Sequence, residues 1–161
     1  MPPTLQGGGC SIVATDFSDV VIAQDTVQFP EIDFRVLDMT LALPFGDSEF
    51  DVVYANLSLH YYDDTTTHAI FREIARVLAP SGRLFYRCKS IHSQLEKQNA
   101  VEIEPNIYDK DGHLRHLFST EYAADVANGL LRLDRNEYTE GEVYGHSAYF
   151  VEVEATKVDS K

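Results

Sequence analysis

The chain has 161 residues, with 13 Lys and Arg against 26 Asp and Glu, which gives a formal net charge of −13 at pH 7. This length is sufficient for a single domain with one hydrophobic core. So acidic a chain repels phosphate backbones and anionic lipid, which argues against nucleic acid and membrane surfaces as partners. The two cysteines form no disulfide framework and lack zinc-type spacing.

The apolar runs are only as long as strands, so no membrane span is expected. The first residues lack the basic region and the apolar stretch of a signal peptide, and we therefore expect a cytoplasmic protein. Residues 1–10, which include three consecutive glycines, are expected to form an irregular N-terminal segment of a single domain that covers residues 1–161.

The first half of the chain alternates strand and helix patterns. Residues 11–15 are a short apolar run that ends at Asp16, which is typical of a buried parallel strand. Ser18 is a candidate N-cap for a short helix through residues 20–23. A second strand is expected at residues 34–37.

The strongest strand pattern of the chain is residues 50–55, which follow a turn at residues 44–47. Residues 65–79 have apolar side chains at helical spacing and begin with three threonines that could act as N-caps. Pro80 ends this helix, and a further strand is expected from Gly82. A strand, a helix and a strand in this order predict a parallel sheet.

The second half of the chain is less regular. Residues 89–118 are polar, and Pro105 and Gly112 mark turns. Ser119 is a candidate N-cap for another helix. Residues 130–133 and 147–155 are expected to form a closing, partly exposed antiparallel pair. The order of these elements predicts an α/β fold with a mostly parallel sheet and a C-terminal antiparallel strand pair.

Several of these segments resemble class I S-adenosylmethionine-dependent methyltransferases, over nearly the whole chain. The matching segments are SIVATDFS, RVLDMTLALPFGDSEFDVVYANLSLHYY and REIARVLAPSGRLFY, which correspond to the second to fifth strands of that family. The tail, with NIYDKDGHLRHLFSTEY and YGHSAYFVEVEATK, is similar to small-molecule methyltransferases of the tellurite-resistance type. The resemblance implies a Rossmann-like methyltransferase fold.

The resemblance also implies a site for S-adenosylmethionine. Asp16 ends a strand, where a carboxylate can accept hydrogen bonds from ribose hydroxyls, although strand ends also carry Asp as a turn former. Phe17 would cover the adenine, or else pack in the core. Asp38 and Met39 would hold the adenine, while Asp38 could equally cap the following turn. Asn56 would lie under the methionine portion of the cofactor.

The acceptor side is expected in the loop after the fourth family strand and in the polar segment further on. His60 and Tyr61 belong to that loop, and His60 is a weak candidate for a base that accepts a proton from the acceptor. Tyr108, Arg115 and His116 are candidates for a lid above the acceptor. Methyl transfer needs alignment and exclusion of water more than a strong base, so the lack of a nucleophile or triad is compatible with this activity.

Two metal interpretations are rejected. His113 and His116 lack a nearby third ligand, and the segment 109–112 lacks the further ligands and the closing Glu of a calcium loop.

The family's first strand and glycine-rich loop have no counterpart before Asp16, because only six residues precede Gly7. We therefore expect an N-terminally truncated domain with doubtful activity, whose exposed sheet edges could drive self-association.

Three functions are considered. The first is transfer of a methyl group from S-adenosylmethionine to a small-molecule or protein acceptor. The second is a non-catalytic interaction module with a degenerate methyltransferase fold, which pairs with partners through its sheet edges. The third, a nicotinamide-binding Rossmann domain, is less favoured because the chain contains no G-x-G-x-x-G loop.

Overall fold

The structure is a computed structural model that describes residues 9–143 and 145–158. Gly7 and Gly8 of the expected irregular segment lie outside the described residues. The chain folds as two compact units, one up to Leu43 and one from Pro44 onwards. The prediction of one domain over the whole chain stays a prediction.

The first unit is a strand-helix-strand motif. Strands β1 (Val13–Asp16) and β2 (Asp33–Val36) pair in parallel, and helix α1 (Asp19–Gln28) connects them. The hydroxyl of Ser18 accepts a hydrogen bond from the backbone N–H of Val21 at 3.3 Å, so Ser18 is the N-cap as predicted. The helix is longer than the sequence pattern indicated.

The second unit contains a four-stranded sheet and a smaller three-stranded sheet. Its elements are β3 (Phe50–Asn56), α2 (Asp64–Val77), β4 (Leu78–Lys89), α3 (Gln94–Lys97), β5 (Val101–Glu104), β6 (Ile107–Lys110), β7 (His113–His116), α4 (Thr120–Ala127), β8 (Leu131–Val143) and β9 (His146–Lys157).

The larger sheet has the strand order β3-β4-β9-β8. Strands β3 and β4 are parallel, whereas β4 and β9, and β9 and β8, are antiparallel. The prediction of an α/β fold is therefore confirmed, but the sheet is mixed rather than mostly parallel. Strand β8 is much longer than the predicted residues 130–133, whereas β9 extends only slightly beyond the predicted residues 147–155. The two strands pair along their length, from Leu131 with Lys157 to Val143 with His146, which extends β8 beyond its apolar stretch.

Helix α2 packs one face into the core of this unit. Its buried apolar residues include Ile70, Phe71 and Ile74, and the ring of Phe71 meets that of Tyr86 on β4 edge-on, with centroids 5.3 Å apart. The N-cap is Asp63, whose carboxylate accepts from the backbone N–H of Thr66 at 2.7 Å. The threonines predicted as caps lie instead inside the first turn, since Asp63 precedes them and already satisfies a free N–H group.

The polar segment after β4 is more ordered than the sequence suggested. Strands β5, β6 and β7 form an antiparallel meander. Its second turn is Asp111-Gly112, with φ of +55° and +81°, the two left-handed residues of a hairpin turn that matches the twist of the strands. Turns at Pro105 and Gly112 were predicted, but the strands between them were not, because they are short and rich in charged residues.

Candidate functional site

The first unit places two acidic residues at the same edge of its small sheet. Asp16 ends β1, and its carbonyl accepts a hydrogen bond from the N–H of Leu37 at 2.9 Å, directly before Asp38. Since β1 and β2 are parallel, this is the carboxyl edge of both strands, where open α/β sheets bind ligands. The predicted pair of Asp16 and Asp38 is thus brought together.

Both carboxylates also stabilise local turns. Oδ1 of Asp16 accepts from the N–H of Ser18 at 2.8 Å. Oδ1 of Asp38 accepts from the N–H and the hydroxyl of Thr40 at 2.9 and 2.6 Å, and these hydrogen bonds lower the pKa of Asp38. Asp16 and Asp38 thus both have the turn-forming role that the sequence left open, and each fills it with its Oδ1 atom.

Phe17 follows Asp16 and Met39 follows Asp38, and the two side chains differ in solvent exposure. The side chain of Phe17 is 73% exposed, so it is not part of the core. Of its two predicted roles, core packing is wrong. Met39 is half-buried. An exposed aromatic ring that follows Asp16 directly, at the sheet edge that also leads to Asp38, is suited to stack on a planar base, because it offers a free face near hydrogen-bond acceptors.

Asn56 ends β3 in the second unit. Its side-chain oxygen accepts from Nε of Arg87 at 3.1 Å, and the N–H of Leu57 donates to the carbonyl of Arg87 at 2.8 Å. Leu57 has φ of +58°, a left-handed conformation that is unfavourable for a leucine. The chain leaves the sheet at this point and enters the loop that contains His60.

A pocket of about 360 Å³ lies where β3 and β4 end. The carboxyl ends of these parallel strands contribute Leu57 and Lys89 to its wall, in the position expected for a ligand site. The predicted residues that line it are His60, Tyr61 and Arg115. The sequence reasoning missed the remaining lining residues, namely Leu57, Lys89, Leu95, Glu96, Val143, His146 and Ala148.

Three charged side chains meet in the pocket wall. The carboxylate of Glu96 lies 3.3 Å from Nζ of Lys89 and 3.6 Å from Nε of Arg115. The guanidinium of Arg115 also stands over the ring of Tyr61, 4.9 Å from its centroid. Two cations share one carboxylate, which leaves one formal positive charge in a chain of net charge −13.

His60 is almost completely buried beside these cations. Desolvation, together with the positive charges of Lys89 and Arg115, lowers its pKa to about 3. Its Nδ1 has no hydrogen-bond partner among the described residues. A buried imidazole of this kind is neutral at physiological pH and a weak base, because protonation would place a third cation in the pocket.

Two predicted acceptor residues do not line the pocket. His116 packs against the rings of Phe118 and Tyr122, with centroids 5.1 and 4.4 Å away, and burial lowers its pKa. Tyr108 is buried on β6, and burial raises its pKa. His116 still contributes to the site indirectly, because its N–H donates to the carbonyl of His60 at 3.0 Å.

The described residues contain no group of three or more His, Cys, Asp or Glu side chains arranged to hold a metal ion. Asp109 accepts from the N–H of Gly112 at 2.8 Å and so closes the β6–β7 turn. In the part of the chain that the structure describes, no helix combines the length and the apolar character that crossing a membrane requires.

Comparison with known protein families gives a match to the methyltransferase domain over residues 2–86. The chain belongs to this methyltransferase family. The match covers β1 to β3 and helix α2 and extends into β4, which are the segments that carry the sequence resemblance.

Solved methyltransferase structures share the fold. An S-adenosylmethionine-dependent methyltransferase from Methanosarcina mazei is 18% identical, with a TM-score of 0.77 over 91% of this chain and 81% of that chain. The 1,6-didemethyltoxoflavin-N1-methyltransferase of Burkholderia thailandensis, solved with 1,6-didemethyltoxoflavin and S-adenosylhomocysteine, is 15% identical, with a TM-score of 0.72 over 94% of this chain and 63% of that chain. The predicted Rossmann-like methyltransferase fold is confirmed.

Two curated methyltransferases are similar over part of their length. An uncharacterized methyltransferase of Synechocystis is 30% identical over 78 residues, which are 48% of this chain and 36% of that protein. The phosphoethanolamine N-methyltransferase 1 of Triticum aestivum is 28% identical over 108 residues, which are 62% of this chain and 22% of that protein. The chain therefore matches about a third or less of each of these relatives.

Proposed function

We propose that this chain is an S-adenosylmethionine-dependent methyltransferase domain that acts on a small acceptor. In this proposal the first unit binds the nucleoside part of the cofactor, and the pocket of the second unit binds the acceptor. The observation that carries the proposal is the placement of Asp16 and Asp38 at one carboxyl edge in a chain of the methyltransferase family.

The residues of the first unit fit the chemistry of the cofactor. Asp16 ends a strand, and its carboxylate is exposed. Its Oδ1 accepts a hydrogen bond from the N–H of Ser18, so Oδ2 is suited to accept hydrogen bonds from ribose hydroxyls. Asp38 and the N–H of Met39 would hold the adenine, and the exposed ring of Phe17 would cover it. When bound, S-adenosylmethionine supplies an activated methyl group. Structures of similar methyltransferases contain S-adenosylhomocysteine, which supports this assignment.

In the second unit, Asn56 is proposed to lie under the methionine part of the cofactor. His60, Tyr61 and Arg115 are proposed to orient the acceptor. Because its pKa is about 3, His60 is better suited to hydrogen-bond the acceptor than to remove its proton. His116 would support the position of His60 through the backbone hydrogen bond, and Tyr108 would contribute to the lid from β6.

The test is calorimetric titration with S-adenosylhomocysteine. Asp16→Asn and Asp38→Asn keep an oxygen that can close the local turns but remove the charge. Each is expected to weaken binding about tenfold or more, the usual effect of losing a charged hydrogen-bond acceptor. Asp33→Asn is the matched control, because Asp33 lies at the opposite end of β2 in an ion pair with Arg35. Unchanged affinity in the first two variants would refute the proposed cofactor site.

A second candidate is the non-catalytic interaction module. In the described part of the chain, β3 has β4 as its single strand partner, and the side chains of Val52 and Tyr54 on it are 53% and 64% exposed. An exposed, apolar edge strand favours pairing with another chain. Sedimentation analysis of the parent and of Val52→Lys distinguishes the candidates. The interaction module would be favoured if the folded chain does not bind S-adenosylhomocysteine and if Val52→Lys abolishes its self-association.

A further inference from the structure

The pocket at the ends of β3 and β4 has an unusual charge arrangement for so acidic a chain. Lys89 and Arg115 both reach one carboxylate, that of Glu96, at 3.3 and 3.6 Å. Their side chains are 10% and 23% exposed, so solvent screens them less than surface charges. Both separations exceed the 2.7–2.9 Å typical of short charge-assisted hydrogen bonds. The two cations are therefore only loosely satisfied by Glu96.

Glu96 itself lies on a helix of a single turn, which is held from outside by Lys110, whose Nζ donates to the carbonyl of Leu95 at 3.0 Å. Helix α3 consists of Gln94–Lys97, none of its residues is buried, and the N-cap residue Ser93 makes no side-chain capping hydrogen bond. Ser93 instead donates to the carbonyl of Tyr149 at 2.6 Å. A helix of one turn has little stability of its own, so α3 can shift when an incoming carboxylate replaces that of Glu96 and keeps both cations paired.

The rest of the pocket defines the kind of molecule that fits beside the cations. Leu57, Leu95, Val143 and Ala148 contribute apolar surface, and the buried residue His60 also lines the pocket. Burial is the main cause of the lowered pKa of His60, and the positive charges of Lys89 and Arg115 lower it further, in keeping with the two cations in the pocket wall. An apolar wall with a positive, hydrogen-bonding end is complementary to an amphipathic anion.

We propose that the pocket binds the carboxylate group of a small organic acid between Lys89 and Arg115, in the place that Glu96 occupies in this structure. A carboxylate is favoured over other anions because the group already held there is a carboxylate. That this acid is the methyl acceptor rests on the proposed function, whereas the binding of the acid does not. Glu96 then acts as an internal competitor that keeps the cations paired until the acid enters.

The test is ligand-observed NMR titration of the full chain with benzoate, in the absence of any cofactor. Benzamide has the same shape without the charge, and inorganic phosphate is an anion without the apolar body. Benzoate is expected to bind, benzamide to bind at least about tenfold more weakly, and phosphate not to compete. Equal binding of benzamide would overturn the anion site, and effective competition by phosphate would overturn the assignment to a carboxylate.

Variants locate the site. Glu96→Gln removes the competitor and is expected to tighten benzoate binding about fivefold to tenfold, while Lys89→Met is expected to weaken it by a similar factor. Arg83→Met is the matched control, because Arg83 lies on the same strand and pairs with Glu154 outside the pocket. Circular dichroism verifies that each variant is folded, and Arg115→Lys provides a milder second test that is expected to retain part of the affinity.

An unchanged affinity in Glu96→Gln, or an equal loss in Arg83→Met, would overturn the proposal. The result is independent of the cofactor experiment. If benzoate binds as expected but S-adenosylhomocysteine does not, the proposed function fails and the anion site stands. If the cofactor analogue binds but benzoate does not, only the anion site fails.

Discussion

The buried imidazole of His60 is expected to make the stability of this protein dependent on pH. Burial and the charges of Lys89 and Arg115 lower its pKa in the folded chain to about 3. In the unfolded chain the pKa returns to its ordinary value of about 6.5. Below about pH 6.5 the unfolded chain therefore binds more protons at this residue than the folded chain does, and the free energy of unfolding falls as the pH falls toward about 3.

The size of the effect follows from the two pKa values. Between about pH 7.5 and pH 5 the unfolded imidazole becomes almost fully protonated while the folded one stays neutral, which removes about 2 kcal/mol from the free energy of unfolding. The carboxylates with lowered pKa, such as Asp63, remain ionised over this interval and contribute little. His116, whose pKa burial also lowers, contributes in the same direction.

The assay is urea unfolding at about pH 7.5 and about pH 5, followed by circular dichroism, for the parent and for His60→Gln. Glutamine does not titrate, so the variant is expected to lose about 2 kcal/mol less than the parent between the two pH values. His113→Gln is the matched control, because His113 is exposed on β7. If His60→Gln shows the full pH dependence of the parent, the imidazole is not held neutral by the fold and the reasoning is refuted.

Two further predictions concern the stability of the second unit. A Cβ at Gly82 would lie 2.8 Å from the carbonyl oxygen of Ala79, so Gly82→Ala is expected to lower the free energy of unfolding by about 2 kcal/mol, measured by urea unfolding. The control is Gly46→Ala, which is expected to be tolerated because the new Cβ would meet only a flexible carboxylate at 3.4 Å. Equal stability of these two variants would contradict the packing argument. Asp63→Ala is expected to lower the free energy of unfolding by about 1 kcal/mol, because it removes the N-cap of α2. Thr65→Ala removes no cap and is expected to lower it less. If Thr65→Ala were the more destabilising of the two, the assignment of the cap would be wrong.

Much of the fold could be predicted from local patterns. Ser18 and Ser119 were identified as N-caps because a hydroxyl before a helical pattern satisfies a free N–H group, and both accept the expected hydrogen bonds. The meander of β5 to β7 could not be predicted. Its strands are only four residues long, and their register depends on turns whose φ angles are visible only in three dimensions.

The candidate site was predictable only in part. His60, Tyr61 and Arg115 were named from the sequence and line the pocket, but Lys89 and Glu96 were missed. Neither of these has a local pattern that marks it, because a lysine at a strand end and a glutamate in a polar segment are ordinary surface residues. They become a site only because the ends of β4 and α3 lie close together in space.

The sequence by itself determined the family and the succession of helices and strands, because hydrophobic periodicity, caps and turn residues act over a few positions along the chain. It also placed Asp16, Asp38 and Asn56 at strand ends. Only the tertiary structure decided that two cations and one carboxylate meet beside a neutral histidine. The physical reason is that burial and charge depend on neighbours distant in sequence, and these set both the pKa of His60 and the character of the pocket.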